Sequence, residues 1–124
     1  MPLATPGGAE DETPYCIVLT TVPDEQQAQT LARQIVEAGL GACVPLDRIQ
    51  SVYRWNGQLC SESECRLMIK TRKVRFEALA QFIHGHHTYE LPEIVQIPVT
   101  AGSADYLRWV DDGTRLDGLP PAHS

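Results

Sequence analysis

Between positions 84 and 93 the chain crowds three imidazoles (His84, His86, His87), a phenol (Tyr89) and two carboxylates (Glu90, Glu93) into ten residues. Imidazole nitrogen and carboxylate oxygen are ligands for copper and zinc, and a histidine beside such groups can also move protons. Adjacent residues of an extended chain point opposite ways, so His86 and His87 chelate one ion only if the backbone turns there. The competing reading is a pair of loop histidines hydrogen-bonded at an interface or to solvent. Acid/base work by His87, Tyr89 and Glu90 finds nothing to complete it. There is no G-x-S-x-G elbow, no H-E-x-x-H pair and no glycine loop for phosphate, so the chain is expected not to be an enzyme. Four cysteines (Cys16, Cys43, Cys60, Cys65) include no C-x-x-C pair. Cys16 and Cys43 sit in apolar segments and read as buried free thiols, whereas Cys60 and Cys65 flank a polar stretch and read as exposed.

The elements that must position these groups follow from periodicity. Residues 15–22 form a continuous apolar and β-branched run suited to a buried strand, stopped by Pro23. Asp24 with Gln27 resembles a capping box, and Ala28, Leu31, Ala32, Ile35 and Val36 recur at helical spacing up to Gly39. A short apolar stretch at Ala42, Cys43 and Val44 precedes a strand over 49–55. Asn56 and Gly57 then give the strongest two-residue hairpin signal. The return strand is expected over 64–71, with the intervening polar residues making the hairpin long and leaving an edge in need of a partner. A second helix is predicted from Lys73 to a stop at Gly85, which places the histidines in its exit loop. A strand over 93–99 and a Ser103-capped helix to Val110 complete the chain. The order is an α+β, ferredoxin-like βαββαβ sandwich with an extended hairpin and a C-terminal helix. Residues 1–14 read as a disordered leader, 15–112 as the domain and 113–124 as a tail.

The formal charge of -6 is carried by the ends: residues 15–110 hold ten Asp and Glu against nine Lys and Arg. A near-neutral body without a basic run lacks the footprint of nucleic-acid binding. No stretch has the apolar length of a membrane span, and the first residues have neither the charged nor the apolar region of a secretory signal, so a cytoplasmic location is expected.

Several short runs occur in one order along this framework. They are Thr20, Thr21, Val22, Pro23, Asp24, Glu25; then Ala42, Cys43, Val44; then Tyr53, Arg54, Trp55, Asn56, Gly57. Glu64 and Ile69, Lys70, Thr71 follow, with His87, Thr88, Tyr89, Glu90, Leu91, Pro92, Glu93, Ile94 and finally Tyr106, Leu107, Arg108, Trp109. From Ile17 to Val110 the sequence thereby resembles the CutA divalent cation tolerance family. The resemblance implies a homotrimer of ferredoxin-like subunits, the long hairpin pairing onto neighbouring sheets. It implies a role in divalent-cation tolerance, with copper first and zinc next as the metal, held by His86, His87 and Glu90. It also implies a cleft between subunits lined by Tyr53, Trp55, Glu64, Lys70, Tyr89 and Trp109. The alternative is a trimeric sensor or adaptor, similar to the PII signalling proteins, with a small ligand in that cleft and no metal. In a third reading Tyr53 and Trp55 are interface anchors while Lys70 pairs with Glu90. Three features depart from the family pattern: Thr20 stands where copper-binding members carry Cys, Thr88 where the signature has Pro, and the segment between Cys43 and Tyr53 lacks the usual Asn and Pro-Gly and carries Pro45 and Arg48 instead. Cys16 cannot replace the lost thiolate, because four residues along a strand span roughly 13 Å.

Overall fold

The computed structural model describes residues 13–115. Strand β1 (Tyr15–Val22) leads through helix α1 (Glu25–Glu37) to β2 (Leu46–Trp55), which returns as β3 (Gln58–Arg72). A 3₁₀ turn (Lys73–Arg75) opens helix α2 (Phe76–His86), followed by β4 (Val95–Pro98) and helix α3 (Ala104–Gly113). The sheet order is β2-β3-β1-β4 with every neighbouring pair antiparallel, as the βαββαβ reading requires.

Alternation along the central strands decides the two faces. Cys16, Val18, Cys65, Leu67 and Ile69 are buried with Ala28, Leu31 and Ile35 of α1 and Leu79 and Ile83 of α2 in one core. Each fully buried aliphatic contributes about 1.5–3 kcal/mol of transfer free energy. Cys65 therefore lies in the core rather than at the surface, and its thiol is pushed up by burial. Cys43 is only half-buried, and all four cysteines are unpaired. Asp24 caps α1 as the spacing requires, accepting from the Gln27 amide at 2.9 Å and from its side chain at 3.0 Å. Gly41 lets the chain pass between α1 and β3. A Cβ there would sit 2.6 Å from Ile69 Cγ2 and 2.9 Å from Ile35 Cγ2.

The hairpin turn adopts the left-handed conformations that Asn-Gly favours, φ 52° at Asn56 and 79° at Gly57,. Its strands exceed the expected bounds: β2 starts at Leu46 and β3 at Gln58, so the polar run 58–63 is strand rather than loop. Pairing with β1 ends at Val22↔Cys65, whereas β2 pairs with β3 out to Trp55↔Gln58. The hairpin end is thus a two-stranded ribbon, which is marginal alone in water.

Three other boundaries shift. Helix α2 runs through Gly85 to His86, because Gly85 keeps a helical rather than left-handed backbone. Strand β4 is limited to the four residues facing Cys16–Leu19 on β1. Helix α3 continues to Gly113 and the following Thr114 is fully buried, so the ordered body extends past 112. Of the expected leader only Thr13 and Pro14 are described. Both attach to the sheet, through Thr13 Oγ1 to the Val99 carbonyl (2.6 Å) and the Lys73 amide to the Pro14 carbonyl (2.8 Å). The rest of the leader and residues 116–124 lie outside the described part.

Candidate functional site

The outer face of the sheet, opposite α1 and α2, carries the site. Period-two alternation puts Cys60, Glu62 and Glu64 of β3 on this face beside Ser51 and Tyr53 of β2, through the pairs Tyr53↔Cys60 and Ser51↔Glu62,. The segment 88–93 rises over them, and the two together enclose a groove of about 620 Å³. Trp55, Tyr53 and Tyr89 supply aromatic wall; Glu62, Glu64, Glu90 and Glu93 supply four carboxylates. Among the described residues, no Lys or Arg nitrogen forms an ion pair with any of these four.

The segment is held down by His87. Its backbone is extended (φ -97°, ψ 148°), which ends α2 and swings the ring back over the sheet. Nδ1 accepts the Tyr89 amide hydrogen at 3.1 Å, so the proton resides on Nε2, which donates to the Thr21 carbonyl at 2.6 Å,. Tyr89 packs against the imidazole with ring centroids 4.8 Å apart and donates its phenol to Glu64 Oε1 at 2.9 Å. One relay therefore fixes the segment to β1 and aims Tyr89 at the groove floor. Burial alone would raise the Glu64 carboxyl, but hydrogen bonds from Ser51, Tyr89 and Thr21, with the nearby His87, outweigh it and hold it below its usual range. Burial, then the Glu64 hydrogen bond and charge, pushes the Tyr89 phenol up. Nearer the rim, Tyr53 donates to Glu62 Oε1 at 2.8 Å, and that bond is the main reason its phenol is pushed up to about 12.

The residues expected to bind metal do not converge. His86 is the last residue of α2; its Nδ1 lies 2.8 Å from the Phe82 carbonyl and its ring stacks on Phe82 at 4.0 Å. His87 has both nitrogens engaged by backbone, and Glu90 lines the groove. Among the described residues no group of three His, Cys, Asp or Glu is arranged to hold a metal ion. Thr20 is fully buried on the inner face with no partner for its hydroxyl, so this position faces the core and supplies nothing to the groove. Thr88, in the proline position, places its hydroxyl 3.4 Å from the Gln27 side chain.

The expected cleft set also divides. Tyr53, Trp55, Glu64 and Tyr89 meet in the groove, joined by Glu93 of the same covering segment, by Cys60, and by Glu62, Ser51 and Thr21, which residue types alone did not single out. Strand alternation two positions either side of Glu64 was the available signal for Glu62. Lys70 and Trp109 belong to the other end of the sheet. Lys70 Nζ stands 5.5 Å over the Tyr106 ring rather than beside Glu90, at a smaller cavity of about 200 Å³ beneath α3. Trp109 packs on Tyr106 at 5.6 Å between centroids.

Comparison with known proteins agrees with this architecture. Residues 16–113 match the family described as CutA1 divalent ion tolerance protein. Protein CutA, chloroplastic, from Arabidopsis thaliana is 41% identical over 82% of this chain, which spans only 57% of that relative. The divalent-cation tolerance protein CutA of Thermus thermophilus is 38% identical over 79% of this chain and 96% of its own length. Among solved structures, CutA1 from Oryza sativa superposes with a TM-score of 0.81 at 35% identity, covering 84% of this chain and 96% of that one. CutA from Synechococcus elongatus gives 0.80 at 39%, covering 82% and 91%.

Proposed function

This chain belongs to the CutA1 divalent ion tolerance family, and we propose that it serves divalent-cation tolerance as a homotrimer that captures cations in the outer-face groove rather than between His86 and His87. One observation carries the reading: Glu62, Glu64, Glu90 and Glu93 share a groove in which none of them has an ion-pair partner among the described residues. Carboxylate oxygens suit hard divalent cations and are also accepted by zinc, and without a thiolate at position 20 a preference for copper(I) loses its support. One subunit supplies charge rather than a closed coordination shell, so water or a neighbouring subunit completes it.

The trimer is supported by what the single chain leaves open. Val95 and Ile97 are 46% and 42% exposed on the outer face, and the ribbon end of β2–β3 projects beyond the body with both its edges unpaired,. Unpaired cysteines fit a reducing compartment and so favour the cytoplasm,. No helix among the described residues is long and apolar enough to cross a membrane. The second reading, a small-ligand sensor, is favoured by the aromatic wall of Trp55, Tyr53 and Tyr89, which a bare metal ion does not need,.

Native mass spectrometry should give the trimer mass. Calorimetric titration of zinc and copper(II) should show binding that is lost in Glu62→Gln/Glu64→Gln and kept in His86→Ala/His87→Ala. The reverse pattern returns the site to the histidines, and a monomer removes the assembly.

A further inference from the structure

Two large aromatic side chains lie open on α3. Tyr106 and Trp109 are 40% and 48% exposed, and their rings meet with centroids 5.6 Å apart and planes 31° from parallel. Three residues apart on a helix, they form one strip, and Gly113, four residues beyond Trp109, adds no side chain to block it,. The helix is held to the sheet along a different line, through buried Val110 and the buried Thr114 that follows it. Neither aromatic belongs to the sheet surface or the ribbon edges on which the trimer reading rests. Neighbouring rings open to water are a surface on which Pro-rich segments dock, because a polyproline II strand is extended before it binds and loses little conformational freedom.

The chain carries such a segment close by. The described residues end at Arg115, and the sequence continues Leu-Asp-Gly-Leu-Pro-Pro-Ala-His-Ser over 116–124. Asp117 with Gly118 is a turn signal, and a four-residue turn over 115–118 brings its ends within about 7 Å. The three steps from Gly118 to Pro121 then cover roughly 9 Å at the polyproline II rise. Trp109 stands five helical residues before Thr114, about 7.5 Å back along the axis, so Pro120 and Pro121 reach it. Neither proline has an N–H, and packing them on a ring leaves no donor unpaired. The leader fits this strip less well, because Glu10, Asp11 and Glu12 would approach a helix that already carries Asp105, Asp111 and Asp112,.

From the exposed pair and this reach we propose that residues 119–121 fold back along α3 and pack on Tyr106 and Trp109 of the same chain, as an intramolecular strap. Tyr106 also lines the cavity of about 200 Å³ beneath α3, so the strap sits at the rim of that cavity. Recognition is apolar, needs no metal and is independent of the cation reading.

The test uses the full chain with Trp55→Phe, which leaves Trp109 as the only indole. Pro120→Ser/Pro121→Ser in that background should red-shift the Trp109 emission and raise its quenching by acrylamide, while native mass spectrometry shows the same assembly as the parent. Ending the chain after Arg115 should give the same shift. Nuclear Overhauser contacts should join the Trp109 indole to proline ring protons in the parent and vanish in the double variant. Unchanged emission in both variants overturns the proposal, and an indole shielded in both then assigns the strip to a second copy. A red shift that comes with loss of the assembly also overturns it, since the prolines then act between copies. A shift produced instead by Pro2→Ser/Pro6→Ser assigns the strip to the leader and overturns it likewise.

Discussion

At the hairpin end of β3, Glu62 and Glu64 stand on the outer face hydrogen-bonded to phenols but without an ion-pair partner among the described residues; at the other end of the same face, Lys70 lies over the Tyr106 ring and Arg72 is hydrogen-bonded and ion-paired within the chain. Arg72 donates through Nε to Thr114 Oγ1 at 2.9 Å and through Nη2 to the Thr114 carbonyl, and it lies 3.8 Å from Asp111, which also accepts from the Tyr15 phenol at 2.9 Å. Between the two ends, Arg66 is already spent on Asp47 in a two-pronged contact of 3.2 and 2.8 Å. The row of outer-face residues along one strand thus runs from acidic to basic. Its basic end closes internally, fastening α3 to the sheet. Its acidic end stays open. A charge answered by a counter-charge within the chain works as architecture, whereas Glu62 and Glu64 are held by neutral hydrogen-bond donors and have no cationic partner among the described residues.

The largest effect should therefore come from the closed end. Arg72→Ala leaves the carbonyl of fully buried Thr114 and its hydroxyl without their donor and should cost about 2–4 kcal/mol. Urea denaturation measures the loss. In a Trp55→Phe background, Trp109 on α3 reports whether the helix loosens, through a red-shifted emission. A variant as stable as the parent would break the contrast between the two ends.

Next in size is Glu64, the one groove acid whose interactions also support the fold. Glu64→Gln should cost about 1.5–3 kcal/mol at neutral pH, the worth of hydrogen bonds to a charged group. Because its folded-state value lies below the ordinary 4.5, the wild-type advantage is complete above that pH. It is lost as pH falls through the depressed folded value. Urea midpoints of the pair, compared from neutral to strongly acidic pH, should converge only at the acid end.

The two histidines separate along the same line. His87→Ala removes a donor to Thr21 and an acceptor for Tyr89 and should cost about 1–2 kcal/mol. His86→Ala loses a stack on Phe82 and one contact to an exposed helix carbonyl and should cost about 0.5 kcal/mol. Equal losses would show that the segment 88–93 is not anchored through His87.

Much of this is legible in the sequence alone. Asp24 with Gln27, Asn56 with Gly57, and Ser103 each mark a local backbone event that the chain enforces by itself, and each appears where expected. What failed to read were matters of register and side-chain direction. Lys70 and Glu90 were natural partners by type, but β3 carries Lys70 to Tyr106 at the far end of the sheet. Gly85 looked like a helix stop, yet the stop is His87, pulled into extended backbone by Thr21, which is distant in sequence. Net charge hid the groove altogether: a body near neutrality conceals four acids on one patch and bases on another, because a sum discards position.

The smallest effect on stability should come from Glu62→Gln, and it tests the open end most directly. Tyr53 and Glu62 both lie at the exposed rim, so their hydrogen bond is largely offset by solvent,. The urea midpoint should not move measurably. The Tyr53 phenol, however, is pushed up to about 12 first by its hydrogen bond to Glu62, with smaller contributions from burial and from the Glu62 charge. Replacing the carboxylate by an amide removes the charge and weakens the bond, and the phenol should titrate closer to the ordinary 10,. Ultraviolet difference titration of the two proteins reads this, with Tyr53→Phe identifying the transition that shifts. An unchanged titration would mean that the rim carboxylate does not act on the groove wall. A shift with unchanged stability would show that Glu62 sets the behaviour of the groove wall without supporting the fold.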